Sequence, residues 1–85
     1  MYQVVYKKAA IKAMAKMPKG IKSKMTDTLE LIAEDPHSYQ GDWKHLSGSP
    51  YWRLRVGGYR AICDLLENQL VLLVVSAGPR GYIYK

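Results

Sequence analysis

The spacing of apolar residues predicts one strand and then two helices in the first part of the chain. Residues 2–6 alternate in character and are rich in strand formers, which predicts a first strand. Apolar residues then recur at helical spacing in Lys7–Met17 and again from about Ile21 to Glu34. Pro18-Lys19-Gly20 separates the two predicted helices, and Asp35-Pro36 ends the second, because a residue before proline avoids the helical region.

The remainder of the chain predicts consecutive strands joined by loops and turns. Residues 35–42 are polar and contain Pro36 and Gly41, which predicts a loop, and a short strand is expected at Trp43–Leu46. The apolar run Leu70–Val75 predicts a strand that is buried on both faces. Turn signals stand at Ser47-Gly48-Ser49-Pro50, at Glu67-Asn68 and at Ala77-Gly78-Pro79-Arg80-Gly81, the last of which is expected to break the final strand.

Two strand-forming runs flank the pair Gly57-Gly58 and predict a β-hairpin. Two glycines suit a two-residue turn whose central positions both have positive φ. Val56 then pairs with Tyr59, and Arg55 pairs with Arg60. Because side chains alternate between the faces of a sheet, one face receives an almost wholly apolar set. That set is Trp52, Leu54, Val56, Tyr59, Ala61 and Cys63, and the opposite set is Tyr51, Arg53, Arg55, Arg60, Ile62 and Asp64.

The opposite set concentrates positive charge on one face of the predicted hairpin. Like charges directly opposed across two strands are unfavourable. Arg55 beside Arg60, with Arg53 close by, is explained if an anion lies among them. The hairpin therefore predicts an anion-binding site.

The order of elements predicts a single α+β domain spanning residues 1–85. It comprises an N-terminal strand, a helical hairpin and a mostly antiparallel sheet of three to four further strands. The helices are expected to cover the apolar sheet face and to leave the arginines open. A hydrophobic content of 48% with 24% charged residues is ordinary for a globular chain. The net charge of +6 favours a polyanionic partner, such as nucleic acid, an acidic protein or an anionic membrane surface.

The cysteine content and the termini restrict the cellular context. The single cysteine, Cys63, excludes an internal disulfide, leaves no metal cluster to build and is expected to pack in the core. The N-terminal residues lack the pattern of a signal peptide, and Leu70–Val75 is too short to span a bilayer. A cytoplasmic protein with no membrane association and no cofactor is expected.

Four motifs, in this order, resemble toxins of the RelE/ParE superfamily of bacterial toxin–antitoxin systems, and the resemblance covers essentially the whole chain. They are Leu31-Ile32-Ala33-Glu34-Asp35-Pro36, Lys44-His45-Leu46-Ser47-Gly48, the hairpin block from Trp52 to Arg60, and Val75-Ser76-Ala77-Gly78-Pro79-Arg80 followed by Tyr84. The resemblance implies the RelE-like fold and a cognate antitoxin as partner, and it allows a higher-order toxin–antitoxin assembly.

The resemblance also implies an activity. RelE-like members are messenger-RNA endonucleases that work in the ribosomal A site, whereas ParE-like members inhibit DNA gyrase. The positions that surround the scissile phosphate in RelE-like nucleases are Arg53, Arg55, Arg60, Arg80 and Tyr84 in this chain. The implied reaction is attack of a 2′-hydroxyl on the adjacent phosphate, without a metal ion. The implied partners are therefore messenger RNA and the ribosome.

Further basic residues are candidates for contacts with the RNA backbone. Lys44 and His45 lie on the predicted strand beside the hairpin. His45 is also the second candidate, after Tyr84, for proton transfer, because arginine is too basic to act as a general acid. Two other functions stay open at this stage: a ParE-like gyrase inhibitor and a non-catalytic basic binding module.

Overall fold

The computed structural model describes residues 1–79, which form a five-stranded sheet and two α-helices. The elements in chain order are β1 (Gln3–Tyr6), α1 (Lys8–Ala15), α2 (Lys19–Glu34), β2 (Trp43–His45), β3 (Tyr51–Val56), β4 (Tyr59–Leu66), a 3₁₀ helix (Glu67–Gln69) and β5 (Val71–Pro79). The strand order across the sheet is β1-β5-β4-β3-β2. β1 is parallel to β5, and every other pair is antiparallel. The predicted α+β fold is confirmed.

The two helices pack on one face of the sheet. Their buried residues recur at helical spacing, because an amphipathic helix turns one stripe toward the core. The core joins Ala10, Met14, Met17, Met25, Leu29, Ile32 and Ala33 to the sheet residues Trp43, Leu54, Val56, Ala61, Cys63, Leu65, Leu72, Val74 and Ala77. The predicted apolar face of the hairpin is therefore the face that the helices cover. No helix within residues 1–79 has the length and apolar character needed to cross a bilayer.

The β3–β4 hairpin has the predicted register. Val56 pairs with Tyr59, and Arg55 pairs with Arg60. The expectation of positive φ at both turn positions is wrong, since φ is +59° at Gly57 but is not positive at Gly58. Positive φ at the first position alone is the pattern of a type II′ turn, which fits the twist of a hairpin equally well. A Cβ atom on Gly57 would also lie 2.8 Å from Cδ1 of Ile21 on α2.

Strand β5 differs from its predicted extent and burial. It begins at Val71, because Leu70 adopts a left-handed conformation with φ +54° after the 3₁₀ helix. It continues to Pro79, so the segment expected to break the strand instead pairs with β4, with Gly78 opposite Arg60. Only one face is fully buried, since Leu72 and Val74 are in the core while the alternate residues are half-exposed. Pairing with β4 therefore keeps this segment extended although its local sequence favours a turn.

Candidate functional site

The sheet face opposite the helices gathers basic side chains from three adjacent strands. Lys44 on β2 pairs with Arg53 on β3, and Arg55 on β3 pairs with Arg60 on β4. Paired residues project to the same side of a sheet, and positions two apart on one strand do so as well. We call these four residues, Lys44, Arg53, Arg55 and Arg60, the basic face. The predicted clustering of the three hairpin arginines is thus present in the structure.

The arginines of the basic face differ in exposure. The Arg55 side chain is 39% exposed, whereas the Arg53 side chain is only 15% exposed. Arg60 is half-buried, and its Nε atom is buried. Ile62, which pairs with Arg53, is 5% exposed although it lies on this face and not in the helix-covered core. The arginines therefore border an apolar position, where water screens their charges less than in bulk solvent.

An internal carboxylate contacts two of these arginines. Asp42 Oδ1 lies 2.7 Å from Nη2 of Arg53, and Asp42 Oδ2 lies 3.5 Å from Nε of Arg55. The backbone N–H of Arg55 donates to the carbonyl oxygen of Asp42 at 3.0 Å, which continues the β2–β3 ladder by one residue. Sequence reasoning placed Asp42 only within a loop. The sequence offers one indication of its place, because Asp42 stands two residues before Lys44. If the pairing with β3 begins at Asp42, both side chains lie on the same face of the sheet.

Lys44 and His45 lie on opposite sides of the sheet. His45 pairs with Trp52, and their rings are 5.3 Å apart in an edge-to-face arrangement. Trp52 also stacks on Trp43 at 5.1 Å and meets the His37 ring edge-to-face at 5.9 Å. The alternation of β2 places His45 beside these aromatic rings and leaves Lys44 with the arginines, and the RNA contacts expected of both residues stay predictions.

The loop that carries Asp42 is held at two further points. The Trp43 indole N–H donates to the Pro36 carbonyl oxygen at 3.0 Å. His37 Nε2 lies 3.1 Å from Oε2 of Glu67, whose other oxygen accepts a hydrogen bond from the Tyr2 hydroxyl. That hydroxyl, followed by His37, holds the pKa of Glu67 below its ordinary value. His37 has no partner that the sequence makes visible, and the structure supplies one 30 residues away.

Three predictions concern residues away from the described part of the basic face: the tail residues, the cysteine and the absence of a metal site. Arg80 and Tyr84 lie outside the described residues, so their positions relative to the basic face stay predictions. Cys63 is fully buried, and burial raises the pKa of its thiol, as expected of a packing residue. Among residues 1–79, no three His, Cys, Asp or Glu side chains form a group suited to a metal ion.

Known proteins share both the sequence pattern and the fold. The sequence model of the family described as "ParE toxin of type II toxin-antitoxin system, parDE" matches residues 4–84. A putative RelE-like toxin protein of Escherichia coli is 27% identical over 79 residues, which cover 93% of this chain and 83% of that protein.

Two solved complexes have the same fold. The archaeal RelE–RelB complex of Pyrococcus horikoshii OT3 contains a chain that is 25% identical with a TM-score of 0.81, covering 95% of this chain and 97% of that one. The intact E. coli RelBE toxin–antitoxin complex contains one that is 23% identical with a TM-score of 0.77, covering 93% and 96%. Since the family model spans nearly the whole chain, this protein belongs to the ParE toxin family of type II toxin–antitoxin systems, within the RelE/ParE superfamily.

Proposed function

We propose that this toxin is a ribosome-dependent messenger-RNA endonuclease whose basic face binds the scissile phosphate. The observation that supports the proposal is the placement of Arg53, Arg55 and Arg60 on the sheet face opposite the helices, with Arg55 and Arg60 directly opposed. Guanidinium groups bind phosphate oxygens bidentately and stay charged at any physiological pH. A phosphodiester placed among them reduces the repulsion between directly opposed like charges.

The proposed reaction is a transesterification within the RNA. The 2′-oxygen attacks the adjacent phosphorus and loses its proton, while the bond from phosphorus to the 5′-oxygen breaks and that oxygen gains a proton. The products are a 2′,3′-cyclic phosphate and a 5′-hydroxyl. Negative charge grows on the non-bridging oxygens in the transition state, where preorganised arginines stabilise it most. Arg53 and Arg55 cannot transfer these protons, because arginine does not deprotonate in proteins. Tyr84 stays the predicted proton carrier.

A message with one 2′-deoxynucleotide tests this proposal. Purified toxin is added to ribosomes programmed with a defined message, and cleavage in the A-site codon is mapped by primer extension. The same message with a deoxynucleotide at the cleaved position is the matched control. We expect cleavage of the first message only, with a cyclic phosphate at the new end. Cleavage of both messages, or a 5′-phosphate product, would show that water and not the 2′-hydroxyl attacks.

A second candidate function is inhibition of DNA gyrase, which the match to the ParE family model favours. Arginines that bind an anion without transferring protons would suit an inhibitor that only binds its target as well as they suit a nuclease. Supercoiling by purified gyrase in the presence of the toxin distinguishes the two functions. Inhibited supercoiling together with intact messages on the ribosome would replace the nuclease proposal with this one.

A cognate antitoxin is the proposed protein partner. The solved relatives include complexes of RelE with RelB from E. coli and from P. horikoshii. The net charge of +6 and the basic face suit a partner segment that carries acidic residues. Co-expression with the adjacent reading frame is expected to relieve the growth arrest that the toxin causes when expressed alone.

A further inference from the structure

The position of Asp42 on the basic face is fixed by the backbone. Its carbonyl oxygen accepts the N–H of Arg55, so Asp42 occupies the place opposite Arg55 in the β2–β3 ladder. Lys44 follows two residues later, on β2, and because the β2–β3 pairing continues to Asp42, strand alternation directs both side chains to the basic face. Strand register therefore places the Asp42 side chain on the same face as the arginines that it contacts.

The two oxygens of this carboxylate contact two different guanidinium groups. Oδ1 lies 2.7 Å from Arg53, and Oδ2 lies 3.5 Å from Arg55. A phosphodiester also presents two anionic non-bridging oxygens, and guanidinium groups form charge-assisted hydrogen bonds with phosphate as they do with carboxylate. Asp42 is 44% exposed, so its side chain has room to turn toward solvent when another anion arrives. Arg53 is mostly buried, and a charge removed from water needs an opposite charge or strong hydrogen bonds close by.

We propose that Asp42 is a positioning residue that takes the place of the RNA phosphate between Arg53 and Arg55 until RNA displaces it. In the free toxin the carboxylate compensates the charge of Arg53 and holds both guanidinium groups aligned. On binding, one phosphate replaces one carboxylate, so that contact adds less to the affinity than a contact with an uncompensated arginine would. The inference rests on the proposed function, in which this face receives an RNA phosphate.

The replacement of Asp42 by asparagine tests the exchange. Asp42→Asn keeps the shape of the side chain and removes its charge. Asp27→Asn is the matched control, because Asp27 is exposed on α2, on the opposite side of the sheet, and its replacement changes the net charge by the same amount. The probe is a fluorescein-labelled single-stranded RNA with 2′-O-methyl groups throughout, which binds but lacks the attacking hydroxyl. Anisotropy titrations from 50 mM to 300 mM NaCl give the affinity and its salt dependence.

The expected result follows from counterion release. Each phosphate neutralised on a single strand contributes about 0.7 to the slope of log K against log salt concentration. We expect the slope for Asp42→Asn to be steeper than that for Asp27→Asn by about 0.7, which corresponds to roughly fivefold tighter binding at 0.1 M salt. Asp42→Ser is measured alongside and is expected to give the same slope, and circular dichroism confirms that each variant is folded.

Equal affinities and slopes for the Asp42 and Asp27 variants would overturn the inference, as would weaker binding by Asp42→Asn. Cleavage on programmed ribosomes is measured separately. Wild-type toxin that cleaves while Asp42→Asn shows no gain in binding would refute the role of Asp42 and leave the proposed nuclease intact. A gain in binding with no cleavage by the wild type would refute the nuclease and leave the exchange at the arginines in place.

Discussion

Arg55 offers the sharpest separation of function from stability in this protein. Its side chain is 39% exposed, and its only ion-pair partner among the described residues is Asp42, at 3.5 Å. Arg60 is less suitable for this purpose, because it is half-buried and its replacement removes packing as well as charge. Arg55→Gln keeps a long polar side chain at an exposed strand position, so the change is confined to the guanidinium charge.

The effect on stability is expected to be small because two contributions oppose one another. Exposed ion pairs stabilise by about 0.2–1 kcal/mol, and this contribution is lost. The repulsion between Arg55 and the directly opposed Arg60 is of similar size and is relieved. The free energy of unfolding should change by no more than about 0.5 kcal/mol, as is usual for surface substitutions. For a domain of this size the melting temperature then shifts by less than roughly 4 °C.

The effect on activity is expected to be large because the guanidinium acts where transition-state charge develops. Removal of one preorganised donor of this kind lowers the rate of the chemical step by about 10²–10³-fold. The assay is single-turnover cleavage on programmed ribosomes with toxin in excess, together with thermal unfolding by circular dichroism. Lys24→Gln is the matched control, since it removes one positive charge from an exposed position on α2. A folded Arg55→Gln toxin that cleaves as fast as Lys24→Gln would refute the assignment of Arg55 to the phosphate site.

Three further predictions concern the scaffold around this site. Gly57→Ala should destabilise the fold by about 1–2 kcal/mol, because φ is positive there and Ile21 lies close, whereas Gly58→Ala in open space should change stability by less than about 1 kcal/mol in urea unfolding. The folded-state pKa of Glu67 is lowered, so its contribution to stability is present above the ordinary glutamate pKa of about 4.3 and is lost as the pH falls below it. Melting temperatures of Glu67→Gln should therefore decline less than those of the wild type between pH 6 and about pH 3. The Cys63 thiol should resist iodoacetamide in the native protein and react in denaturant, as measured by mass spectrometry, since it is fully buried and its pKa is raised.

Local signals in the sequence determined the elements and the basic face. The helical period and the proline boundaries define every end of α1 and α2 to within two residues. The Gly57-Gly58 pair sets the hairpin register. Because side chains alternate between the two faces of a strand, that register fixes which of them share a face. Arg53, Arg55 and Arg60 could be grouped because all three lie within eight positions of one hairpin. The same alternation, applied to β2, separates Lys44 from His45.

Pairing between distant segments decided the rest. Asp42 meets Arg53 and Arg55 only because β2 returns across a turn and aligns with β3, and nothing local to residues 35–42 specifies that register. His37 meets Glu67 across 30 residues, and Tyr2 meets Glu67 across 65. β5 extends to Pro79 because β4 supplies hydrogen-bond partners that outweigh the turn propensity of Gly78 and Pro79. A turn or a helical stripe is encoded by neighbours in sequence, whereas an ion pair between strands depends on a register that the whole sheet must satisfy together.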